Sequence, residues 1–397
     1  MNARLWYIDS LRACLMIAGV FLHAAEMYGQ HTDWVVRDPS TLGGLDLLVA
    51  MVSSSRMPAF FVLAGMFFSH ALASRPLGEV LHSRSVLVAT PFVVLALTLQ
   101  PVQYAVLLAH QGRLSSMGLG EFWSSFVQPS VLSTHAFIGR GFVGHLWFLV
   151  NLLLYYHLAA LAVWAVRRYR APSLQALGLL CMRHKWLWVL LAGGAMVCGR
   201  AALRAVDGLH DDWADLVRYL PYFALGAFAF ANKARFQALL TLGPADLVAL
   251  PVAAAVVFVP ALNQRVHGAL VVLLHVFVAT MVTVLLLRLF LRWFNQHWPL
   301  QQRLVDASFS IYLFHYICVV GVGLLLLPVQ ALPHIAKYAI AVAVGVWVPF
   351  MLHERLIKPY PRMRLLLNGR LPKTKPLTVK PVAAVADRPA GTAVTRP

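Results

Sequence analysis

Asp9, Arg12 and His23 fall in the first long apolar run of the chain. At about 100° per residue Asp9 and Arg12 share one helix face, and His23, eleven residues after Arg12, returns to nearly that face about 16 Å higher. A charged side chain in hydrocarbon is costly, so each such group is a candidate functional residue. Arg56 falls midway along the second run and precedes Met57-Pro58, where a proline frees a backbone carbonyl and can bend a helix around a cavity. His145 opens a later run, and His315 lies inside Ser308-Phe-Ser-Ile-Tyr-Leu-Phe-His315. By nominal depth these groups form a ladder. Arg84 and Arg12 stand at one end, Arg56 and His315 in the middle, and His23 and His145 towards the other end, lining a path through the bilayer.

Each rung also has a plainer reading. A lone intramembrane histidine often only bonds one helix to another, and Arg84 also suits a snorkelling role at a membrane surface. Glu26, His157, Arg200 and Asp306 lie near the ends of apolar runs and read as interfacial or paired.

The elements that must hold these groups are helices. Sixty per cent of the 397 residues are apolar and 12% are charged, which excludes an ordinary soluble domain. A span needs about twenty apolar residues, and the runs predict ten helices near 11–29, 45–72, 86–109, 144–166, 186–206, 217–231, 245–261, 267–291, 303–327 and 335–356. The expected fold is an all-α, polytopic membrane domain over residues 1–366. The region around 217–261 is the hardest to count, because its runs are short and Pro251 and Pro260 bracket one of them. No internal repeat is evident, which argues against an inverted-repeat transporter.

The formal charge of +18 does not read as nucleic-acid binding, because Lys and Arg sit in alternate loops between apolar runs. Arg75 and Arg84, then Arg167, Arg168, Arg170, Arg183 and Lys185, then Lys233 and Arg235, then Arg288, Arg292 and Arg303 mark one side; Asp207, Asp211, Asp212 and Asp215 mark the other. The positive-inside rule puts the basic loops and both termini in the cytoplasm, facing anionic lipid. The first run lacks a small-residue cleavage site and is expected to stay as an anchor. The basic, Pro- and Ala-rich stretch 367–397 is expected to be a disordered tail. Cys14, Cys181, Cys198 and Cys318 form no CxxC pair, so neither a disulfide framework nor a metal site is expected. The aromatic loop near 110–143, with Phe122, Trp123, Phe126, Phe137 and Phe142, suits either stacking on sugar rings or lying on the bilayer surface.

With these residues in view the chain resembles the membrane-bound acyltransferase-3 family, whose members carry an Arg and a His with ten residues between them in the first helix, as Arg12 and His23 have here. Tyr7-Ile-Asp9-Ser-Leu-Arg12, Ser55-Arg56-Met-Pro-Ala-Phe-Phe-Val-Leu-Ala-Gly65-Met-Phe-Phe-Ser69, His145-Leu-Trp-Phe-Leu149 and Ser308 to His315 occur in family order and spacing. Ser55-Arg56-Met57, Tyr219-Leu-Pro-Tyr-Phe-Ala-Leu-Gly-Ala and Pro361-Arg-Met-Arg-Leu-Leu-Leu-Asn-Gly369 are most similar to members that succinylate osmoregulated periplasmic glucans. One departure is Leu87, where the family often has a second arginine three residues after the position of Arg84.

The resemblance implies an enzyme of the bacterial inner membrane that moves an acyl group from cytoplasmic acyl-coenzyme A, here succinyl-CoA, to a sugar hydroxyl across the membrane. No tightly bound cofactor is expected. The glucan acceptor, acyl-CoA, membrane lipid and other glucan-synthesis proteins are the expected partners. Arg12, Arg84 and the basic loops would hold the donor's phosphates, with Asp9 beside Arg12. His23 would take the proton of the attacking hydroxyl, and Arg56 would stabilise the oxyanion or hold the succinyl carboxylate. His145 and His315 complete the expected catalytic set. The rivals are an O-acetyltransferase acting on another surface polysaccharide or lipid-linked sugar, and a transporter using the same polar path; mid-span carboxylates, which a coupled transporter would need, are scarce.

Overall fold

The structure is a computed structural model, and it describes residues 5–32, 34–39, 41–127, 143–169, 176, 178, 180–182, 184–205 and 212–370. Thirteen helices organise the described residues, with no strand among them. They are α1 (Trp6–Tyr28), α2 (Gly44–Leu72), α3 (Leu77–His110), α4 (Leu119–Phe126), α5 (Trp147–Tyr169), α6 (Lys185–Ala205), α7 (Asp212–Phe230), α8 (Lys233–Leu240), α9 (Pro244–Phe258), α10 (Gly268–Trp293), α11 (Pro299–Leu326), α12 (His334–Leu352) and α13 (Pro361–Asn368). A single turn, Pro260–Asn263, precedes α10, and a π-helical turn, His353–Ile357, extends α12.

Each of the ten expected runs falls mainly on helix among the described residues. Among the described residues seven helices are long and apolar enough to cross a membrane, and α8 with α9, bent by 59°, makes an eighth when the pair counts as one span. The remaining two expected spans are α6 and α7. Arg200 lies near the end of α6, and the first turn of α7 is polar, which leaves the apolar stretch Leu216–Phe230 short of a full crossing. The stretch carrying Lys233 and Arg235 is not a simple loop. Asn232 caps α8 by accepting from Ala234 N at 2.8 Å, and Gly243-Pro244 restarts the chain as α9.

α1 lies at the centre, packed on α2, α10, α11 and α12. α2 and α7 cross closely because both are glycine at the contact: a Cβ on Gly65 would strike the Phe223 carbonyl, and one on Gly226 the Val62 carbonyl. Without a hydrophobic drive between helices in lipid, such close approach is what holds a bundle together. The outer faces carry exposed Leu97, Leu161 and Leu190, surface that lipid covers in a multi-pass protein.

α13 carries the fold past residue 366. Gly369 ends it in a left-handed conformation (φ 59°) against the backbone of Leu87, and Asn368 is buried where it accepts from Ser310 Oγ at 3.0 Å. The expected tail beyond 370, the loop residues Phe137 and Phe142, and Arg170, Arg183, Asp207 and Asp211 lie outside the described residues.

Candidate active site

The two upper rungs of the expected ladder form one cluster. His23 from α1 stacks on His315 from α11, with ring centroids 5.4 Å apart and planes at 24°. His145 meets His315 edge-on at 5.9 Å. Arg56 reaches the same place from α2: a Cβ on Gly19 would collide with Arg56 Nη1 and come within 3.7 Å of His315 Nε2. Only a glycine at position 19 leaves room for the guanidinium between α1 and α2.

Each imidazole is oriented by a different partner. His23 Nδ1 pairs with Glu26 Oε2 at 2.7 Å, so the carboxylate accepts the Nδ1 proton and Nε2 carries the lone pair of the ring. His315 donates its Nδ1 proton back to the carbonyls of Tyr312 (2.7 Å) and Ile311 (3.1 Å), which makes Nε2 an acceptor. His145 sits on a short 3₁₀ turn that Gly144, at φ 45°, allows, and donates Nε2–H to the Leu313 carbonyl at 3.0 Å. Gln100 Nε2 holds that turn through the Val143 carbonyl at 2.7 Å, and the Tyr312 hydroxyl donates to the His145 carbonyl at 2.9 Å.

The cluster is lined by aromatic rings. Tyr316 stacks on His145 at 5.2 Å, and Trp34, from the α1–α2 connection, lies parallel to His23 at 6.0 Å. His315 Nε2, His145 Nδ1, Arg56 Nε and Trp34 Nε1 are buried atoms with no hydrogen-bond partner among the described residues. Buried polar groups are nearly always satisfied. Several orphans converging on one spot mark a place for a polar ligand.

The lower rung stands apart, at the end where α1 begins. Arg12 is 3.7 Å from Asp9, and its guanidinium lies over the Phe67 ring at 5.5 Å. Arg84 donates Nη2–H to the Phe67 carbonyl at 2.9 Å, so both cations gather at the last turns of α2.

Three members of the cluster escaped the sequence reading. Glu26 reads as a helix-end residue, although its i, i+3 spacing from His23 is the one that links Asp9 to Arg12. Tyr316 follows His315 directly in an already notable motif. Trp34 lies in a connection and carries no periodic signal. Of the other end residues, Asp306 is 4.0 Å from Arg370, His157 donates to the Leu153 carbonyl, and Arg200 lines a cavity.

Apolar helices enclosing imidazoles and a guanidinium define a multi-pass membrane protein with a buried polar site. An acyltransferase domain model, that of the acyltransferase-3 family, matches residues 5–354, and the chain belongs to this family. It is similar to proteins named glucans biosynthesis protein C from Escherichia coli O17:K52:H18 (strain UMN026 / ExPEC) and Escherichia coli strain K12. Each is 28% identical over 275 residues. The match covers 66% of this chain, and the chain spans about two thirds (66%) of the length of those relatives. No solved structure matches the chain. Fold and family agree on a multi-pass membrane protein with an acyltransferase domain.

Proposed function

We propose that this protein transfers a succinyl group from cytoplasmic succinyl-CoA to a hydroxyl of a periplasmic glucan, working in the bacterial inner membrane with both termini cytoplasmic. The observation that carries the chemistry is the His23–Glu26 pair, set against His315 and Arg56 among unpartnered buried polar atoms.

A sugar hydroxyl attacks the thioester carbonyl while His23 Nε2 takes its proton, and Glu26 stabilises the resulting imidazolium. Arg56 faces the oxygen that becomes negative. Collapse of the tetrahedral intermediate breaks the C–S bond, and the departing thiolate takes up the proton that His23 holds. Ester and coenzyme A thiol are the products. Arg12 and Arg84 bind the donor's phosphates, about 16 Å along α1 from His23, so the donor reaches up from one surface to a site nearer the other. The names of the E. coli relatives support the glucan acceptor. The basic residues Arg75, Arg84, Arg167, Arg168, Arg288 and Arg292 support the assigned sidedness.

Mass analysis of periplasmic glucans from cells with and without the protein tests this reading. Loss of substituents of one succinyl mass each, on deletion, supports it; loss of acetyl substituents moves the assignment to acetyl transfer, and an unchanged spectrum overturns it.

A further inference from the structure

Ser54 and Pro58, one turn apart on α2, point away from the face that carries Arg56 and border a separate cavity of about 320 Å³. Pro58 has no N–H, which leaves the Ser54 carbonyl without its helical donor at the cavity wall. The walls are otherwise supplied by α6, α7, the turn Pro260–Asn263 and α10.

The lining is divided by depth. Arg200, near the end of α6, Arg218, in the second turn of α7, and Asn263, just before α10, sit together at one end. Met196 lies one turn below Arg200, and Val272, Val276 and Ala279 descend α10. Tyr222 and His275 also line it, so the cavity has two guanidiniums at one end and is mainly, not wholly, apolar beyond them. The helices beside it present exposed Leu190 and Leu270, so bilayer lies against its flank.

We propose that this cavity binds an amphiphile with an anionic phosphate head, a lipid phosphate, with the head on Arg200 and Arg218 and the chain along Met196, Val272 and Val276. Two guanidiniums match a phosphate by charge-assisted hydrogen bonds. A soluble sugar phosphate would leave the apolar floor unused, and a zwitterionic lipid would set its own cation against the arginines. The inference does not depend on the acyl-transfer reading, since the cavity lies across α2 from the histidine cluster.

Native mass spectrometry of the full chain in detergent tests it, with dioleoyl phosphatidylglycerol as probe, dioleoyl phosphatidylcholine as the zwitterionic lipid and sn-glycerol phosphate as the head without chains. Wild type should bind one phosphatidylglycerol in preference to phosphatidylcholine. Arg200→Gln and Arg218→Gln should each weaken that binding about tenfold, whereas Arg288→Gln, an exposed cation at the far end of α10, should not. Val272→Trp fills the apolar part while keeping both arginines, and should also weaken it in protein that remains monodisperse and helical. Unchanged phosphatidylglycerol binding in the two arginine variants overturns the proposal, as does equal affinity for sn-glycerol phosphate, which would identify the ligand as a soluble phosphate. Unchanged binding in Val272→Trp overturns the placement of the chain.

Discussion

Glu26 accepts the Nδ1 proton of His23 at 2.7 Å from one turn further along the same helix. A carboxylate in that position fixes both the tautomer and the orientation of the ring, and it stabilises the cation formed when Nε2 takes a proton. Glu26→Gln keeps the shape and removes the charge. It should lower kcat about 100-fold while leaving the KM for acyl-CoA within about twofold, because the donor's phosphates are held elsewhere. His23→Ala should abolish transfer in protein that still inserts and folds. Wild-type turnover in Glu26→Gln would remove the carboxylate from the mechanism.

Gly19 provides the second test, since it makes no chemical contribution of its own. A methyl at that position occupies the space of Arg56 Nη1, so Gly19→Ala must push the guanidinium off the reacting centre. The expected loss is about 10²-fold in kcat, the scale of losing one oxyanion donor. Gly321→Ala, on α11 where a Cβ meets nothing within 4 Å, should be silent. Equal effects of the two substitutions would show general helix packing rather than displacement of Arg56.

The helical class was legible because apolar runs of membrane length leave few alternatives, and the Arg12–His23 face followed from helix periodicity alone. Pro58 likewise pointed to a cavity, and one borders it. What could not be read was lateral approach. Depth along a helix places His23 above His315, but only the packing of α1 against α11 brings the two rings to 5.4 Å, merging two rungs into one site. Trp34 was invisible for a related reason: its place over His23 is set by a connection with no period. The 59° bend between α8 and α9 rests on a Gly-Pro restart that a run-length criterion averages over.

The α1–α2 connection that carries Trp34 is held down by a buried ion pair. Lys337 Nζ, in the first turn of α12, donates to Asp38 Oδ2 at 2.7 Å, with the two side chains 3% and 1% exposed. Breaking a buried pair from one side is strongly destabilising, so Lys337→Met should destabilise by about 3–5 kcal/mol. Lys337→Met with Asp38→Asn should recover most of that loss. Thermal unfolding in detergent, run as a double-mutant cycle, measures both. An additive cycle would show that the pair is not coupled.

Arg12 and Arg84 converge on Phe67 from two helices, one over the ring and one on the carbonyl. If they hold the donor's phosphates, Arg12→Ala and Arg84→Ala should each raise the KM for acyl-CoA about tenfold, with a smaller change in kcat. Leu87 lies one helical turn beyond Arg84 on α3, so Leu87→Arg adds a cation beside the two and should tighten donor binding. A fall in kcat at constant KM in the two alanine variants would place these arginines in the chemistry rather than in donor binding.

The separation of the two polar regions along α1 makes a claim about sidedness. A donor held at Arg12 and Arg84 enters from one face, and an acceptor meeting His23 comes from the other, so neither substrate has to cross intact. In a background without native cysteines, Ser74→Cys in the α2–α3 turn and Ser116→Cys in the connection after α3 should label from opposite faces, because α3 runs between them. Vesicles with acyl-CoA confined to the Ser74 side and glucan to the Ser116 side should then yield acylated glucan. The reversed arrangement should yield none. Transfer that requires both substrates in one compartment would sink the two-sided path even with His23 essential, and would leave Arg12 and Arg84 as packing residues at a membrane surface.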